Sequence, residues 1–272
     1  MSAQGDNRMN FGLQGKLAVV TGSTAGIGYA IAATLADEGA RVVVNGRTQE
    51  RVDATLARLR LRNRGAEFVG VAADLGTAAG VETLVKEISN ADILVNNLGI
   101  FEIKPFLEIA DADWFRFFEV NVMSGVRLSR FYLPGMLSKN WGRIIFISSE
   151  SAQNIPVEMV HYGMTKTAQI SVARGIAQSV AGTGVTVNAV LAGPTASEGA
   201  STFVESMAKQ QGVSVAEVEK RFFATARPTS LLKRFETPEE VAAVVAFVAS
   251  TQAVAINGAP VRAEAGVVQS IL

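Results

Sequence analysis

The chain has 272 residues, 49% of them hydrophobic, enough for one sizeable core in one or two domains. Its 25 basic and 25 acidic residues balance without a block of either sign, which argues against a dedicated nucleic-acid binder. The absence of cysteine excludes disulfides and thiol chemistry, and a single histidine, His161, disfavours a histidine-built metal site, so no metal is expected.

Residues 1–10 are polar and read as a flexible tail. No apolar run reaches the roughly 20 residues of a membrane helix, so the expectation is a cytoplasmic protein with no membrane partner. "KLAVVTG" (16–22) reads as a buried strand ending in glycine, and 26–40 as a helix closed by Gly39. Strands follow at 41–47, 67–75 and 91–99, separated by helices at 48–65 and 78–89. Residues 111–140 form a long helical segment in which Pro134 marks a kink or break. A strand at 142–149, a helix at 157–184 and a strand at 185–193 come next. A mixed segment of roughly 40 residues leads to a helix at 238–250 and a last strand at 259–266. Apolar runs without polar alternation suit strands covered on both faces. Their regular alternation with helices predicts an α/β fold, a doubly wound parallel sheet with helices on both faces, in one domain over 11–272.

"TGSTAGIG", Thr21 to Gly28, lies between the first strand and the first helix. Gly22, Gly26 and Gly28 fall at the turn, where backbone N–H groups and a helix N-terminus can approach a pyrophosphate. The end of the second strand discriminates between dinucleotides, an acid suiting a ribose hydroxyl and a base a 2′-phosphate. Here Gly46 holds the usual acidic position, Arg47 follows, and Asn45 and Thr48 add neutral polar groups. NADP(H) is therefore favoured, and NAD(H) stays open because the glycine turn has Ala25 and no second base.

Tyr162 and Lys166 are four apart on one helix and share a face. An ammonium beside a phenol stabilises phenolate and draws its pKa down toward the working pH of a proton donor. Ser149 ends the fifth predicted strand, where strand C-termini line a ligand crevice. His161, next to the tyrosine, is read as a helix-surface histidine.

In order and spacing, "TGSTAGIG", "ADL" (73–75), "NNLG" (96–99), Asn121 in "VNVMS", "ISSESA" (147–152), "YGMTK" (162–166) and "NAVLAGPT" (188–195) resemble the short-chain dehydrogenase/reductase family, from about Gly15 onward. The resemblance implies a Rossmann-type domain and hydride transfer between a nicotinamide and a carbonyl or alcohol. It would make Tyr162 the acid/base, with Lys166 lowering its pKa and holding the nicotinamide ribose. Ser149 would orient the substrate carbonyl, and Asn121 would hold a water linking the lysine to a proton relay. Gly22, Ser23, Thr24, Gly26, Ile27 and Gly28 would cradle the dinucleotide. Asp74 and Leu75 would border its adenine, Asn97 and Gly99 line the cleft, and Gly193 and Thr195 meet the carboxamide end. Leu98, Ala192 and "EAG" (264–266) depart from the family pattern without removing a catalytic residue.

Residues 195–237 read as a substrate lid, with Phe203, Met207, Phe222 and Phe223 on an apolar inner face. That face suits a hydrophobic or medium-chain carbonyl. Lys209, Lys220, Arg221 and Lys233 are read as solvated charges. The apolar segment 111–140, the helix at 157–184 and the resemblance point to a homotetramer or homodimer. The leading expectation is an NADP(H)-dependent ketone or 3-oxoacyl reductase. A sugar or steroid alcohol dehydrogenase and a silent dinucleotide-binding regulator remain as alternatives.

Overall fold

Seven strands, all parallel, build one sheet in a computed structural model that describes residues 10–271. They are β1 (Leu17–Val20), β2 (Arg41–Gly46), β3 (Phe68–Ala72), β4 (Ile93–Asn96), β5 (Gly142–Ser149), β6 (Val185–Ala192) and β7 (Pro260–Ala263). Their order is β3-β2-β1-β4-β5-β6-β7, so the direction of strand addition reverses between β1 and β4. In open parallel sheets the ligand crevice lies outside the strand C-termini at that reversal. The predicted tail falls on residues that, apart from Asn10, lie outside the described ones.

The apolar runs are covered on both faces, as their lack of alternation predicts. Val42, Val44, Ile145 and Ile147 join one cluster, with α1 (Gly26–Asp37) and α9 (Pro238–Ala249). Val43, Ile144 and Phe146 join the other, with α3 (Ala78–Glu87), α5 (Ser124–Ser138) and α6 (Val160–Ser179). Helix ends carry local signals. Thr48 caps α2 (Gln49–Arg62), accepting from the Arg51 N–H at 3.4 Å. Thr237 and Glu240 close a reciprocal capping box on α9, with Pro238 in its first turn.

The long helical segment departs from its expected form. It divides into α4 (Asp111–Phe118), a π turn (Glu119–Met123) and α5, so the discontinuity lies at the π turn and α5 runs on through Pro134. The Ser124 N–H reaches back five residues to the Glu119 carbonyl, which widens the helix at Asn121. Beyond β6, α7 (Glu198–Gln211) and α8 (Val215–Thr225) pack around a small cluster of their own, Val204, Ala208 and Val218.

Gly28 tests how closely the turn after β1 is packed. A Cβ there would lie 2.5 Å from both the Gly22 carbonyl oxygen and Asn97 Nδ2. Gly28→Ala is expected to cost about 1–3 kcal/mol, read as a lowered Tm in thermal denaturation.

Candidate active site

The turn between β1 and α1 holds Gly22 at φ 59° and Gly26 at φ 54°, a region that favours glycine. The loop after β4 stitches to it. Asn97 Nδ2 donates to the Thr21 and Gly22 carbonyls at 2.8 and 3.1 Å, and the Asn97 and Leu98 N–H groups both donate to Thr21 Oγ1 at 2.9 Å. Several residues expected at the dinucleotide turn their side chains inward. Ser23 Oγ donates to the Val20 carbonyl and accepts from the Asn45 N–H. Asn45 Nδ2 donates to the Val71 and Ala73 carbonyls, while its oxygen accepts from the Gly22 N–H. Leu75 is buried in the core, and Thr48 is occupied as a helix cap. Asp74 is exposed and accepts from the Gly76 N–H.

A Cβ on Gly46 would lie 2.5 Å from Thr24 Cγ2, so a side chain at the position where a ribose-binding acid would stand requires Thr24 to move. Arg47 is exposed beside it and forms no ion pair among the described residues.

Ile27, Asn97, Gly99, Ser149, Tyr162, Lys166, Gly193 and Thr195 converge on one inner cleft of about 230 Å³. Lys166 is 4% exposed. Its ammonium donates to the Ile147 carbonyl at 2.9 Å and to Gln169 Oε1 at 3.3 Å, and burial pushes its pKa down to about 8. Burial pushes Tyr162 up to about 12, against the pull of the Ser149 hydroxyl bonded to it. The Lys166 ammonium lies 5.5 Å from the Tyr162 ring centroid. Ser148, the other serine of the pair, also lines the cleft, but its hydroxyl donates to the Lys166 carbonyl at 2.8 Å and so ties β5 to α6. Asn121 sits in the π turn: its Oδ1 accepts from the Ile100 N–H, and its Nδ2 donates to the Ile100 carbonyl and Thr165 Oγ1.

His161 corrects the surface reading. It is fully buried, its ring 4.0 Å from that of Phe117 and 6.1 Å from that of Trp114. Helix α4 covers the face that adjacency to Tyr162 suggested was open, and burial lowers its pKa.

A second cavity of about 710 Å³ opens beyond Ser149 and Tyr162, against α7 and α8. Phe101, Met159, Val204, Met207, Phe222 and Phe235 give it apolar walls. Phe222 stacks on Phe235 at 5.2 Å, and Phe223 is buried behind them. The Phe203 side chain lies outside the described residues. Arg221 lines the cavity but is paired with Glu217 at 2.9 Å. Sequence reasoning passed over Glu150 and Arg227. The Glu150 carboxylate accepts from Ser149 Oγ at 2.8 Å and pairs with Arg227 Nε at 2.6 Å. The acid's place next to Ser149 was a readable signal, but its partner lies 77 residues away. Gln169 was also missed; its signal is a polar residue three after Lys166, on the same face.

Comparison with known proteins agrees with this geometry. The short chain dehydrogenase family matches residues 16–208. An uncharacterized oxidoreductase of Bacillus subtilis (strain 168), YvaG, is 49% identical over 263 residues, 97% of this chain and all of the relative. L-Sorbose reductase from Gluconobacter frateurii, solved with NADPH and L-sorbose, superposes with a TM-score of 0.90 at 31% identity, over 97% of this chain and all of that one. A variant of actinorhodin polyketide ketoreductase, solved with NADPH, superposes at 0.84 with 31% identity, over 93% of this chain and 97% of that one. The chain belongs to the short-chain dehydrogenase family and is an oxidoreductase of that family.

Glu236 anchors the cleft's floor, its carboxylate accepting from the Gly193 N–H at 3.1 Å. Burial pushes its pKa up to about 7, with Glu240 and Glu264 adding to the rise against the Gly193 hydrogen bond. A raised carboxyl pKa means the folded state holds its proton longer than the unfolded one. Its stabilising contribution is therefore complete below the ordinary carboxylate range and is lost as pH rises to about 7. Glu236→Gln is expected to flatten the fall in Tm over that window, measured by thermal denaturation across pH.

Proposed function

We propose that the chain is an NADPH-preferring reductase of neutral, largely apolar ketones, including 3-oxoacyl groups, working as a single Rossmann-type domain with a lid over about 195–237. The observation that carries this reading is the position of Ser149 and Tyr162, which line both the inner cleft and the apolar cavity beneath the lid. A substrate in the larger cavity thus meets the proton donor at the mouth of the cofactor cleft. The NADPH-bound sorbose reductase and polyketide ketoreductase support the choice of cofactor.

The dinucleotide would be held by Gly22, Ser23, Thr24, Gly26, Ile27 and Gly28 at the turn. Arg47 would meet a 2′-phosphate; Asn45, Thr48, Asp74 and Leu75 would shape the adenosine end. Asn97, Gly99, Gly193 and Thr195 would flank the nicotinamide end. The chemistry such a cofactor supplies is hydride delivery to the carbonyl carbon. Ser149 accepts from the Ser151 N–H at 3.1 Å and donates its one proton to Glu150; turned to a substrate, that proton would orient the carbonyl oxygen beside Tyr162. Tyr162 gives its hydroxyl proton to that oxygen. Lys166 supplies the positive charge that a phenolate needs in a buried place, and Asn121 holds the floor of the site against α6.

The apolar walls favour ketones over polyols, so sugar dehydrogenation is the weaker reading, although sorbose reductase shares the fold. A silent dinucleotide-binding regulator would have no need of the buried lysine beside Tyr162. Exposed Phe115, Phe118 and Phe131 support assembly into a homotetramer or homodimer. Among the described residues no helix is long and apolar enough to cross a membrane.

The test is the loss of reduced-nicotinamide absorbance with a panel of aliphatic and aryl ketones, diketones, 3-oxoacyl thioesters and ketoses, run with NADPH and with NADH. Turnover of apolar ketones with NADPH is expected. Cofactor binding without turnover of any member would favour the regulator. Tyr162→Phe should abolish turnover while NADPH still quenches protein fluorescence, and retained turnover would remove Tyr162 from its role. Arg47→Ala should cut the preference for NADPH over NADH about ten- to hundredfold in kcat/KM, the scale of one hydrogen bond to a charged group.

A further inference from the structure

Gln169 is 1% exposed and stands one turn after Lys166 on α6. Its Nε2 donates to the Asn121 carbonyl at 2.6 Å, and its Oε1 accepts from the Lys166 ammonium at 3.3 Å. The π turn accounts for the first contact, since a widened turn opens the helix ladder enough for a side chain to reach a main-chain carbonyl. The amide's orientation is determined by chemistry. Flipped, it would set an NH2 group against an ammonium and an oxygen against a carbonyl oxygen, losing both bonds.

We propose that Gln169 is a positioning residue whose side-chain amide joins the Lys166 ammonium directly to the Asn121 carbonyl, a link built of protein where the family resemblance places a water. The proposal rests on the reading of Lys166 as the charge that serves Tyr162. An ammonium has three N–H donors. The Ile147 carbonyl and Gln169 take two, which leaves the third for the cleft. Gly99 lies on that side, where an added Cβ would stand 3.4 Å from the ammonium and 3.5 Å from Asn121 Oδ1. A water in the same place could pass protons along. A carboxamide neither gains nor loses a proton near neutral pH, so this link orients the lysine and does not relay protons through Asn121.

The groups around the ammonium make its titration a clean reporter. Tyr162 is the titratable neighbour on its own helix; β5 offers the Ile147 carbonyl, the π turn Asn121, and the loop after β4 Gly99. At the end of β5, Glu150 is paired with Arg227. Burial draws the lysine's pKa down.

The experiment follows Lys166 directly in the full-length protein labelled with [ε-13C]lysine, its resonance assigned by its loss in Lys166→Arg. Gln169→Leu removes the acceptor and should move the Lys166 titration to lower pH. Gln169→Glu places a carboxylate there and should move it higher, each by about one pH unit. Coincident titrations in wild type and Gln169→Glu would overturn the proposal. So would an upward shift in Gln169→Leu. If the leucine variant fails to fold, as read by Tm, the near-isosteric glutamate variant decides alone. No substrate is needed, so the outcome is separate from that of the catalytic reading, which Tyr162→Phe turnover tests. With an active ketone in hand, the high-pH limb of kcat should move with the lysine in each variant while KM for the ketone stays within about twofold. A fall in kcat with an unmoved limb would mark a structural role only.

Discussion

A charge with almost no access to water governs this site. Lys166 is 4% exposed, and an ammonium removed from solvent persists only where protein acceptors surround it. The main chain of β5 meets part of that need through the Ile147 carbonyl, and in return Ser148 Oγ bonds the Lys166 carbonyl at 2.8 Å. Strand and helix are thus hooked in both directions. Because successive strand residues point to opposite faces, Ser148 can serve this hook while Ser149 lines the cleft. The serine pair divides the labour of holding the helix and presenting a hydroxyl.

The same economy operates at the cofactor turn. Thr21 Oγ1 accepts two N–H groups from the loop after β4, and Asn97 returns two hydrogen bonds to the carbonyls of the turn. The glycines there are required by contact as well as by backbone angle, since neighbouring atoms occupy the volume of a Gly28 Cβ. A packing role and a ligand role therefore do not compete at these positions. Close approach of main chain to main chain makes the N–H-rich concavity that an anion can enter.

What was legible in the sequence was what repeats or carries a fixed spacing. The seven strands follow from apolar runs buried on both faces, such as "RIIFISS", and Tyr162 and Lys166 follow from helical spacing. The fifth strand kept its expected bounds, while others came out shorter, because the ends of the predicted runs belong to turns that position Gly22, Gly99 and Gly193. The π turn left no mark in the pattern, since one widened turn does not disturb the apolar face on either side of it. Pro134 misled for the complementary reason: it is a strong breaker in general, yet α5 continues past it. His161 was misplaced because the face of α6 it occupies is covered by Phe117 and Trp114, residues of a helix far back in the chain. The side chains of Ser23 and Asn45 satisfy buried main-chain groups, a use that only the folded neighbours reveal.

The lid shows how distant pairing sets the electrostatics of the cavity. Glu150 is 4% exposed by its side chain and stands next to Ser149, where an uncompensated carboxylate would bind the serine proton tightly. Arg227, at the end of the lid, is 13% exposed and supplies the compensation, with Glu158 3.6 Å away on its other side. Removing one member of such a buried pair typically costs about 3–5 kcal/mol, because the survivor keeps its desolvation penalty. The placement of the lid and the hydrogen bonding of Ser149 are therefore one problem with one solution. That solution uses up the arginine. Arg227 is committed to the buried Glu150, whereas Arg221 is held only by an exposed pair with Glu217, worth little in water. The hydroxyls of Ser149 and Tyr162 stand at the cavity's inner end, against walls that are largely apolar. A neutral molecule with one polar oxygen on an apolar body matches that surface, and a ketone is such a molecule.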